Sequence, residues 1–203
     1  MSKVDLKKEL KQLYKPSAQE VSVVDVPRLN YLMIDGRGDP NTSQEYAAAI
    51  EALYSLAYAL KFKIKKGKAG IDYGVMPLEG LWWIADESQF NVNNKEAWNW
   101  TMMIMQPKYV TADLFAEALP ETEKKKQLAT LARIRFESYN EGSAAQIIHV
   151  GPYADEGPTI AKLHDFINQH GHRARGKHHE IYLGDPRKTA PAKLQTIIRQ
   201  PFN

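Results

Sequence analysis

The chain has 203 residues, of which 43% are hydrophobic and 25% are charged, so it can build an ordinary globular core. Its net charge of +3 is too small to predict nucleic-acid binding, and the absence of cysteine excludes disulfides, thiol nucleophiles and Cys-ligated zinc. No apolar run approaches the roughly 20 residues of a membrane span. The charged first 15 residues contain no signal-peptide core. We therefore expect a cytoplasmic protein without membrane or nucleic-acid partners, while the sequence leaves its oligomeric state open.

The N-terminal part of the chain predicts a short helix, a strand region and a long helix. Leucines at helical spacing indicate a Lys-rich helix over residues 5–13, and residues 20–37 are β-rich with Pro27 at an edge or bend. Thr42 and Glu45 fit a capping box, which predicts the start of the long helix at this point. Apolar residues at helical spacing then continue as far as Leu60.

The elements that follow lead to a connector. Residues 73–84 and 98–105 are predicted as strands, separated by a polar loop over residues 86–95. Thr111 is expected to cap a further short helix that Pro120 interrupts. The charged segment 121–126 is then a helical connector.

A second set of elements follows in the same order as the first. It consists of strands at 134–139 and 145–150, a helix at 158–169, and strands at 178–183 and 194–199. The order strand, turn, helix, strand, strand thus occurs twice. It predicts an α+β fold of duplicated β-α-β-β halves, whose antiparallel sheets form a central ligand cleft. We expect one domain, 1–203, with pseudo-repeats at about 20–110 and 130–203.

One predicted strand carries the strongest candidate for a functional site. The alternation of side chains along a strand puts His178, Glu180 and Tyr182 on one face. A carboxylate in an apolar cleft has a raised pKa, which suits a general base that activates water, and in its ionised form it holds a cationic ligand. Tyr182 can donate a hydrogen bond to the ligand. The alternative is a solvated Glu180 on an exposed sheet face.

Tryptophan is concentrated between Trp82 and Trp100, which includes all four residues of this type. Indole rings stack on planar heteroaromatic groups or on cations. We expect Trp82 and Trp100 in the pocket, followed by Tyr73, with Trp98 on the same strand face as Trp100. The alternative is that these rings fill the core.

Glu79 is a second candidate carboxylate for ligand binding, or else a turn residue before Gly80. The histidines invite a metal hypothesis, but adjacent His178 and His179 point to opposite faces of a strand, and no H-E-x-x-H helix exists. We therefore predict no metal and no cofactor. His179 is expected to be a hydrogen-bonded core histidine.

Five segments resemble the GyrI-like family of small-molecule-binding domains. They are Lys-His-His-Glu-Ile-Tyr-Leu-Gly-Asp-Pro-Arg at 177–187, Pro-Leu-Glu-Gly-Leu-Trp-Trp at 77–83, Trp-Asn-Trp-Thr at 98–101, Gln-Ile-Ile-His-Val-Gly-Pro-Tyr at 146–153 and Thr-Ile-Ile-Arg-Gln-Pro at 196–201. Their common order makes the resemblance specific.

This resemblance implies the duplicated β-α-β-β fold and an aromatic cleft with a key carboxylate, here Glu180. Relatives include effector-binding domains of multidrug-responsive transcription regulators, which accept cationic or amphipathic drugs. The stand-alone branch, which this chain resembles most, includes members that hydrolyse cyclopropanoid DNA-alkylating compounds. Catalysis by Glu180 and Tyr182 is thus one interpretation, and a non-catalytic drug-sequestering or effector-sensing module is the alternative. Gyrase binding, after the family's name, has no separate support in the chain.

Overall fold

The computed structural model describes residues 3–84 and 95–203. Within them the helices are α1 (Leu6–Glu9), α2 (Lys11–Tyr14), α3 (Gln44–Lys66), α4 (Ala112–Lys126) and α5 (Gly157–Gln169). The strands are β1 (Ser22–Val26), β2 (Leu29–Arg37), β3 (Leu78–Trp83), β4 (Asn99–Gln106), β5 (Arg135–Tyr139), β6 (Gly142–Val150), β7 (His178–Tyr182) and β8 (Gln195–Pro201). The order strand, strand, helix, strand, strand occurs twice, around α3 and around α5. The predicted duplicated α+β class is confirmed.

The chain forms two compact units, and neither is a continuous stretch of sequence. The first consists of Met1–Leu6, Leu29–Met76 and Trp83–Tyr139, and the second of Lys7–Arg28, Pro77–Trp82 and Asn140–Asn203. Each unit therefore contains strands from both predicted pseudo-repeats, whose boundaries stay a prediction. The central cleft between the predicted halves also stays a prediction.

The first unit is built on the long helix α3. Strand β2 pairs antiparallel with β4 on one side and with β5 on the other. Helix α3 packs against β2 and β4, and α4 packs against α3. Apolar residues at helical spacing along α3, among them Leu53, Leu56 and Leu60, are fully buried by this packing.

The predicted start of α3 is wrong by one residue. Ser43 is the N-cap, and its side-chain oxygen accepts a 3.1 Å hydrogen bond from the Tyr46 amide. The amides of Thr42 and Ser43 both donate to the Asp39 carbonyl, so Thr42 belongs to the turn before the helix. Two adjacent hydroxyl residues are both suitable caps, and this turn decides between them.

The predicted interruption at Pro120 is also wrong, because α4 continues through it to Lys126. The connector predicted at 121–126 is therefore the last part of this helix. A proline in a helix removes one backbone donor. The Thr122 hydroxyl donates a 2.7 Å hydrogen bond to the Ala118 carbonyl, which gives the helix an additional side-chain bond beside the proline.

Two further boundaries differ from the prediction. The helix expected at 5–13 is two short helices, α1 and α2. The strand expected at 73–84 begins only at Leu78, while Tyr73 forms an isolated bridge with Val4. Residues 86–94 of the predicted polar loop lie outside the described residues. Elsewhere the bend at Pro27 is confirmed, since β1 ends at Val26 and β2 begins at Leu29.

The second unit contains five antiparallel strands in the order β1-β6-β8-β7-β3. Helix α5 packs against one face of β6 and β8. The core on this face consists of Ala145, Ile147, Leu163, Ile167, Ile198 and Phe202. The opposite face donates hydrogen bonds to the N-terminal segment that contains α2: side chains of β6 and β8 donate to the carbonyls of Gln12 and Leu13. The second unit thus has a helix-covered face and an N-terminal face.

In the described parts of the chain, every helix is too short or too polar to cross a membrane.

Candidate functional site

Strand β7 presents different chemistry to the two faces of the second unit. His178, Glu180 and Tyr182 are half-buried, whereas His179 and Ile181 between them are fully buried. Paired residues of neighbouring strands share a face. Glu180 lies opposite Gly80 of β3 and Ile198 of β8, so it is on the helix-covered face with α5.

The Glu180 carboxylate is held by its neighbours on this face. The Tyr182 hydroxyl donates a 2.7 Å hydrogen bond to Glu180 Oε2, and Trp82 Nε1 donates a 3.1 Å hydrogen bond to Tyr182 Oη. His178 Nε2 lies 3.2 Å from Glu180 Oε1, close enough for an ion pair when the ring is protonated. The Glu180 and His178 side chains are 14% and 20% exposed, so solvent reaches both.

A second carboxyl group, that of Glu156, interacts electrostatically with Glu180. Glu156 is the N-cap residue of α5, but its side chain makes no capping hydrogen bond. The residue is 5% exposed. Burial and, next, the negative charge of Glu180 raise the pKa of Glu156 to about 8, and the Thr196 hydroxyl opposes this shift. Oε1 of Glu156 has no hydrogen-bond partner among the described residues.

Burial and the negative charge of Glu180 favour the protonated form of Glu156. The site thus places a carboxyl that tends to keep its proton beside the Glu180 carboxylate, which accepts a hydrogen bond from Tyr182. Such a difference in protonation between neighbouring carboxyl groups is common at catalytic sites.

Two further aromatic side chains contact Tyr182. Tyr153, which is 39% exposed, packs edge-on against the Tyr182 ring, with centroids 5.6 Å apart and planes at 76°. Trp82 is 7% exposed and hydrogen-bonds to Tyr182. We call Trp82, Glu156, His178, Glu180 and Tyr182 the carboxylate site.

Three of the predicted ligand-binding residues lie in the first unit. Trp100 is fully buried, where its ring packs edge-on against Tyr46 at 5.3 Å. Trp98 is half-buried, and Lys95 Nζ lies 5.7 Å from the centroid of its ring. Tyr73 is buried and packs edge-on against another tyrosine ring, and this burial raises the pKa of its hydroxyl above the ordinary range.

Glu79 belongs to the N-terminal face of the second unit, where it joins a buried charge network. It is fully buried, accepts a 2.7 Å hydrogen bond from the Tyr14 hydroxyl, and lies 3.0 Å from His179 Nε2. The other ring nitrogen of His179, Nδ1, lies 2.9 Å from Glu141 Oε1. Since both nitrogens face carboxylates, which only accept, His179 is an imidazolium.

Arg199 completes the buried charge network. It donates to Glu141 Oε2 at 3.2 Å, to Gln146 Oε1 at 3.0 and 2.9 Å, and to the Leu13 carbonyl at 2.6 Å. Two cations thus balance two anions. The carboxylates raise the pKa of His179 to about 9 against the effect of burial. His179 and Arg199 hold the pKa of Glu141 at about 2.

No set of three or more His, Asp or Glu side chains in residues 3–84 and 95–203 is arranged to hold a metal ion.

Sequence reasoning missed Glu156 and Tyr153. The available signal was an acidic residue directly before Gly157-Pro158 at a predicted helix start. Acidic side chains are common at helix starts because they suit the helix dipole, so this pattern does not single out a functional carboxyl. The missing information was that this loop meets β7.

Comparisons with known proteins agree with this architecture. A conserved, uncharacterised protein from Listeria innocua has 38% identity and a TM-score of 0.92, with 99% of this chain and 100% of that chain covered. A hydrolase from Listeria innocua has 38% identity and a TM-score of 0.88, with all of both chains covered. The comparison with curated proteins found no match.

A more distant structure shares the fold alone. The C-terminal domain of EcmrR has 12% identity and a TM-score of 0.54 over 91% of this chain and 97% of that domain. The family model described as the GyrI-like small molecule binding domain matches residues 19–202. Because the match covers nearly all of the sequence, the chain belongs to the GyrI-like family of small-molecule-binding domains.

Proposed function

We propose that the carboxylate site binds a planar aromatic, amphipathic or cationic small molecule and adds water to an electrophilic carbon of it. The observation that carries this proposal is the Glu180 carboxylate, which accepts a hydrogen bond from Tyr182 and lies near the buried Glu156 carboxyl. Multidrug binding in the cytoplasm is the corresponding cellular expectation.

The binding part of the proposal rests on charge and shape. The Glu180 carboxylate supplies a negative charge and is accessible to solvent. An aromatic cation is attracted both by this charge and by the faces of tyrosine and tryptophan rings. Trp82, Tyr153 and Tyr182 supply such rings within the second unit. The ligand-binding roles predicted for Trp100, Trp98, Tyr73 and Glu79 are a separate proposal, because Glu79 lies on the N-terminal face of the second unit.

The chemical part rests on the two protonation states. Glu180, as the ionised partner, accepts a proton from a water molecule as its oxygen attacks the electrophilic carbon. Glu156, as the protonated partner, donates its proton to the ligand oxygen that gains electrons, and the proton that Glu180 takes from water restores the protonation of the pair. Tyr182 fixes the orientation of Glu180 through its 2.7 Å hydrogen bond. In this assignment Glu180 is the base and Tyr182 orients the base and the ligand.

The substrate class is a strained, electrophilic ring. In a cyclopropanoid alkylator, the water oxygen forms a bond to a cyclopropane carbon while one C–C bond of the ring breaks. The electron pair of that bond moves into the conjugated carbonyl, which takes up a proton and becomes a phenol. The net reaction is addition of one water molecule. The Listeria innocua hydrolase at 38% identity supports a hydrolytic reaction.

A non-catalytic binding module is the second candidate function. The observation that favours it is that both oxygens of Glu180 already have neighbours, Tyr182 at 2.7 Å and His178 at 3.2 Å. A carboxylate held in this way is well suited to a static ion pair with a ligand.

Turnover at sub-stoichiometric protein distinguishes the two functions. A cyclopropanoid alkylator is incubated with catalytic amounts of protein, and the water adduct is followed by mass spectrometry. We expect many adducts per protein molecule, and loss of this activity in Glu180→Gln and Glu156→Gln with an unchanged fold. Glu9→Gln, an exposed carboxylate on α1, is the matched control.

Either of two results would contradict the catalytic proposal. One is binding without adduct, measured as quenching of tryptophan fluorescence, which would identify a binding module. The other is full turnover in Glu180→Gln, which would move the reaction away from the carboxylate site.

A further inference from the structure

The loop between β6 and α5 carries two side chains that meet β7. This loop comprises residues 151–156 and contains a short 3-10 turn over Tyr153–Asp155. Tyr153 contacts the Tyr182 ring, and Glu156 interacts with Glu180. The position of this loop therefore decides how close the two carboxyl groups of the carboxylate site are.

A buried histidine at the end of β6 bonds to both sides of the loop. His149 is 7% exposed. Its Nε2 lies 3.2 Å from the Pro152 carbonyl, at the start of the loop, and its Nδ1 lies 3.0 Å from the Thr159 hydroxyl, in the first turn of α5. One imidazole thus connects the strand, the loop and the helix.

The partners of His149 define its hydrogen-bonding state. A carbonyl only accepts, so Nε2 carries a proton and donates to Pro152. Nδ1 bonds to the Thr159 hydroxyl, which can donate or accept, so both ring nitrogens have a partner. The Pro152 carbonyl also accepts a 2.9 Å hydrogen bond from the Asp155 amide, which links this contact to the 3-10 turn.

The backbone around His149 is adapted to this contact. Gly151 has φ of +140°, a conformation that side chains rarely adopt, and its amide donates a 3.0 Å hydrogen bond to the Leu194 carbonyl. A Cβ atom at this position would lie 3.2 Å from His149 Nε2. The chain therefore reaches Pro152 by a path that leaves room for the imidazole.

We propose that His149 and Thr159 are positioning residues, which hold the 151–156 loop so that Glu156 stays buried beside Glu180. The effect on catalysis rests on the proposed function. The positioning role itself does not, because the titration of Glu156 is measured without a substrate. The groups that face Glu156 are Glu180 from β7 and the Thr196 hydroxyl from β8, with His178 beyond Glu180. Thr196 is the cross-strand partner of His149, so a change at residue 159 is the cleaner test of the loop.

The test is a carbon-13 NMR titration of the glutamate side-chain carboxyls in the full chain, with the Glu156 signal assigned by its loss in Glu156→Gln. In the unaltered protein we expect a midpoint near the value of about 8. Thr159→Val keeps the shape but removes the hydroxyl, and His149→Phe keeps a ring but removes both bonds. Each variant should move the midpoint toward 4.5, by about one pH unit or more, as Glu156 gains solvent and moves from Glu180.

Thr159→Ser is the matched control, since it keeps the hydroxyl and should titrate as the unaltered protein does. Far-UV circular dichroism checks that each variant is folded. Thr159 is only half-buried, so Thr159→Val disturbs the fold less than His149→Phe does. An unchanged Glu156 midpoint in folded Thr159→Val and His149→Phe overturns the positioning role. Failure of the proposed function would be seen in a different experiment. In that case Glu180→Gln would leave turnover unchanged, whatever midpoint the Glu156 titration gives.

Discussion

The Tyr182 hydroxyl donates a 2.7 Å hydrogen bond to Glu180 Oε2, and the hydroxyl oxygen of Tyr182 accepts a hydrogen bond from Trp82 Nε1. This relay fixes the direction of the carboxylate on the helix-covered face of β7, where solvent reaches it. A hydrogen bond to a charged group contributes about 1.5–3 kcal/mol.

Tyr182→Phe removes this bond but keeps the ring that packs against Tyr153. We expect turnover, or the affinity for a cationic dye such as rhodamine 6G, to fall about tenfold, the equivalent of about 1.4 kcal/mol. Steady-state kinetics and fluorescence titration measure the two effects. Tyr58→Phe, an exposed position on α3, is the control. Equal behaviour of the two variants would remove Tyr182 from the site.

The buried charge network predicts a large difference between two adjacent histidines. His179→Gln leaves Glu79 and Glu141 buried with too few cations, so we expect the free energy of unfolding to fall by about 3–5 kcal/mol. His178→Gln, at a partly exposed position, should change it by less than about 1 kcal/mol. Urea denaturation at pH 6 measures both. Similar losses in the two variants would contradict the importance of the network.

The same network predicts how stability depends on pH. The folded-state pKa of His179, about 9, exceeds the ordinary 6.5, so its contribution is complete below pH 6.5 and is lost as the pH rises through 9. The folded-state pKa of Glu141, about 2, is below the ordinary 4.5, so its contribution is complete above pH 4.5 and is lost as the pH falls through 2. Urea midpoints across this range should decline on both sides. In Glu141→Gln the acid-side decline should be smaller.

Glu156 changes stability with pH in the direction opposite to Glu141. Its folded-state pKa of about 8 exceeds the ordinary 4.5, so the folded state binds the proton more tightly and stability falls as the pH rises from 4.5 to 8. Glu156→Gln removes this penalty, and we expect it to stabilise the protein at pH 7 by about 1.4 kcal/mol or more, the equivalent of one pKa unit. Denaturation curves at pH 4.5 and pH 7 should therefore differ less in the variant. A destabilised Glu156→Gln at pH 7 would argue against a buried, strained carboxyl.

Trp100 gives a prediction about the first unit. A Cβ atom at Gly36 would lie 2.1 Å from the indole ring of Trp100, a distance that no real contact allows. Gly36→Ala therefore displaces a fully buried ring, and we expect a loss of about 1–3 kcal/mol with altered tryptophan fluorescence. Gly157→Ala, where a Cβ meets nothing within 4 Å, is the control and should change stability by less than about 1 kcal/mol. Equal stability of the two variants would show that Trp100 is free to move.

Local patterns were sufficient for much of the fold and for part of the site. The alternation along β7 correctly separates His178, Glu180 and Tyr182 from His179, because neighbouring side chains of a strand always point to opposite faces. The helical spacing in α3 and α5 likewise follows from chemistry within a few residues.

The remaining features depend on partners that are distant in the sequence. Glu156 becomes a candidate only because the β6–α5 loop meets β7, and Glu79 is buried because Tyr14 and His179 reach it from two other segments. The choice between Thr42 and Ser43 as the cap depends on the turn at Asp39. Composition and local spacing therefore do not predict these contacts between distant residues.

The strand pairing has a consequence for how the chain is made. Val26 of β1 pairs with Gly142 of β6, and Leu29 of β2 pairs with Tyr139 of β5, so each unit is completed by a strand from the other part of the sequence. During synthesis, β1 has no partner until β6 has left the ribosome, and its backbone groups stay open to other chains. Long-range pairing of this kind slows folding. β1 therefore stays unpaired until most of the chain has been translated.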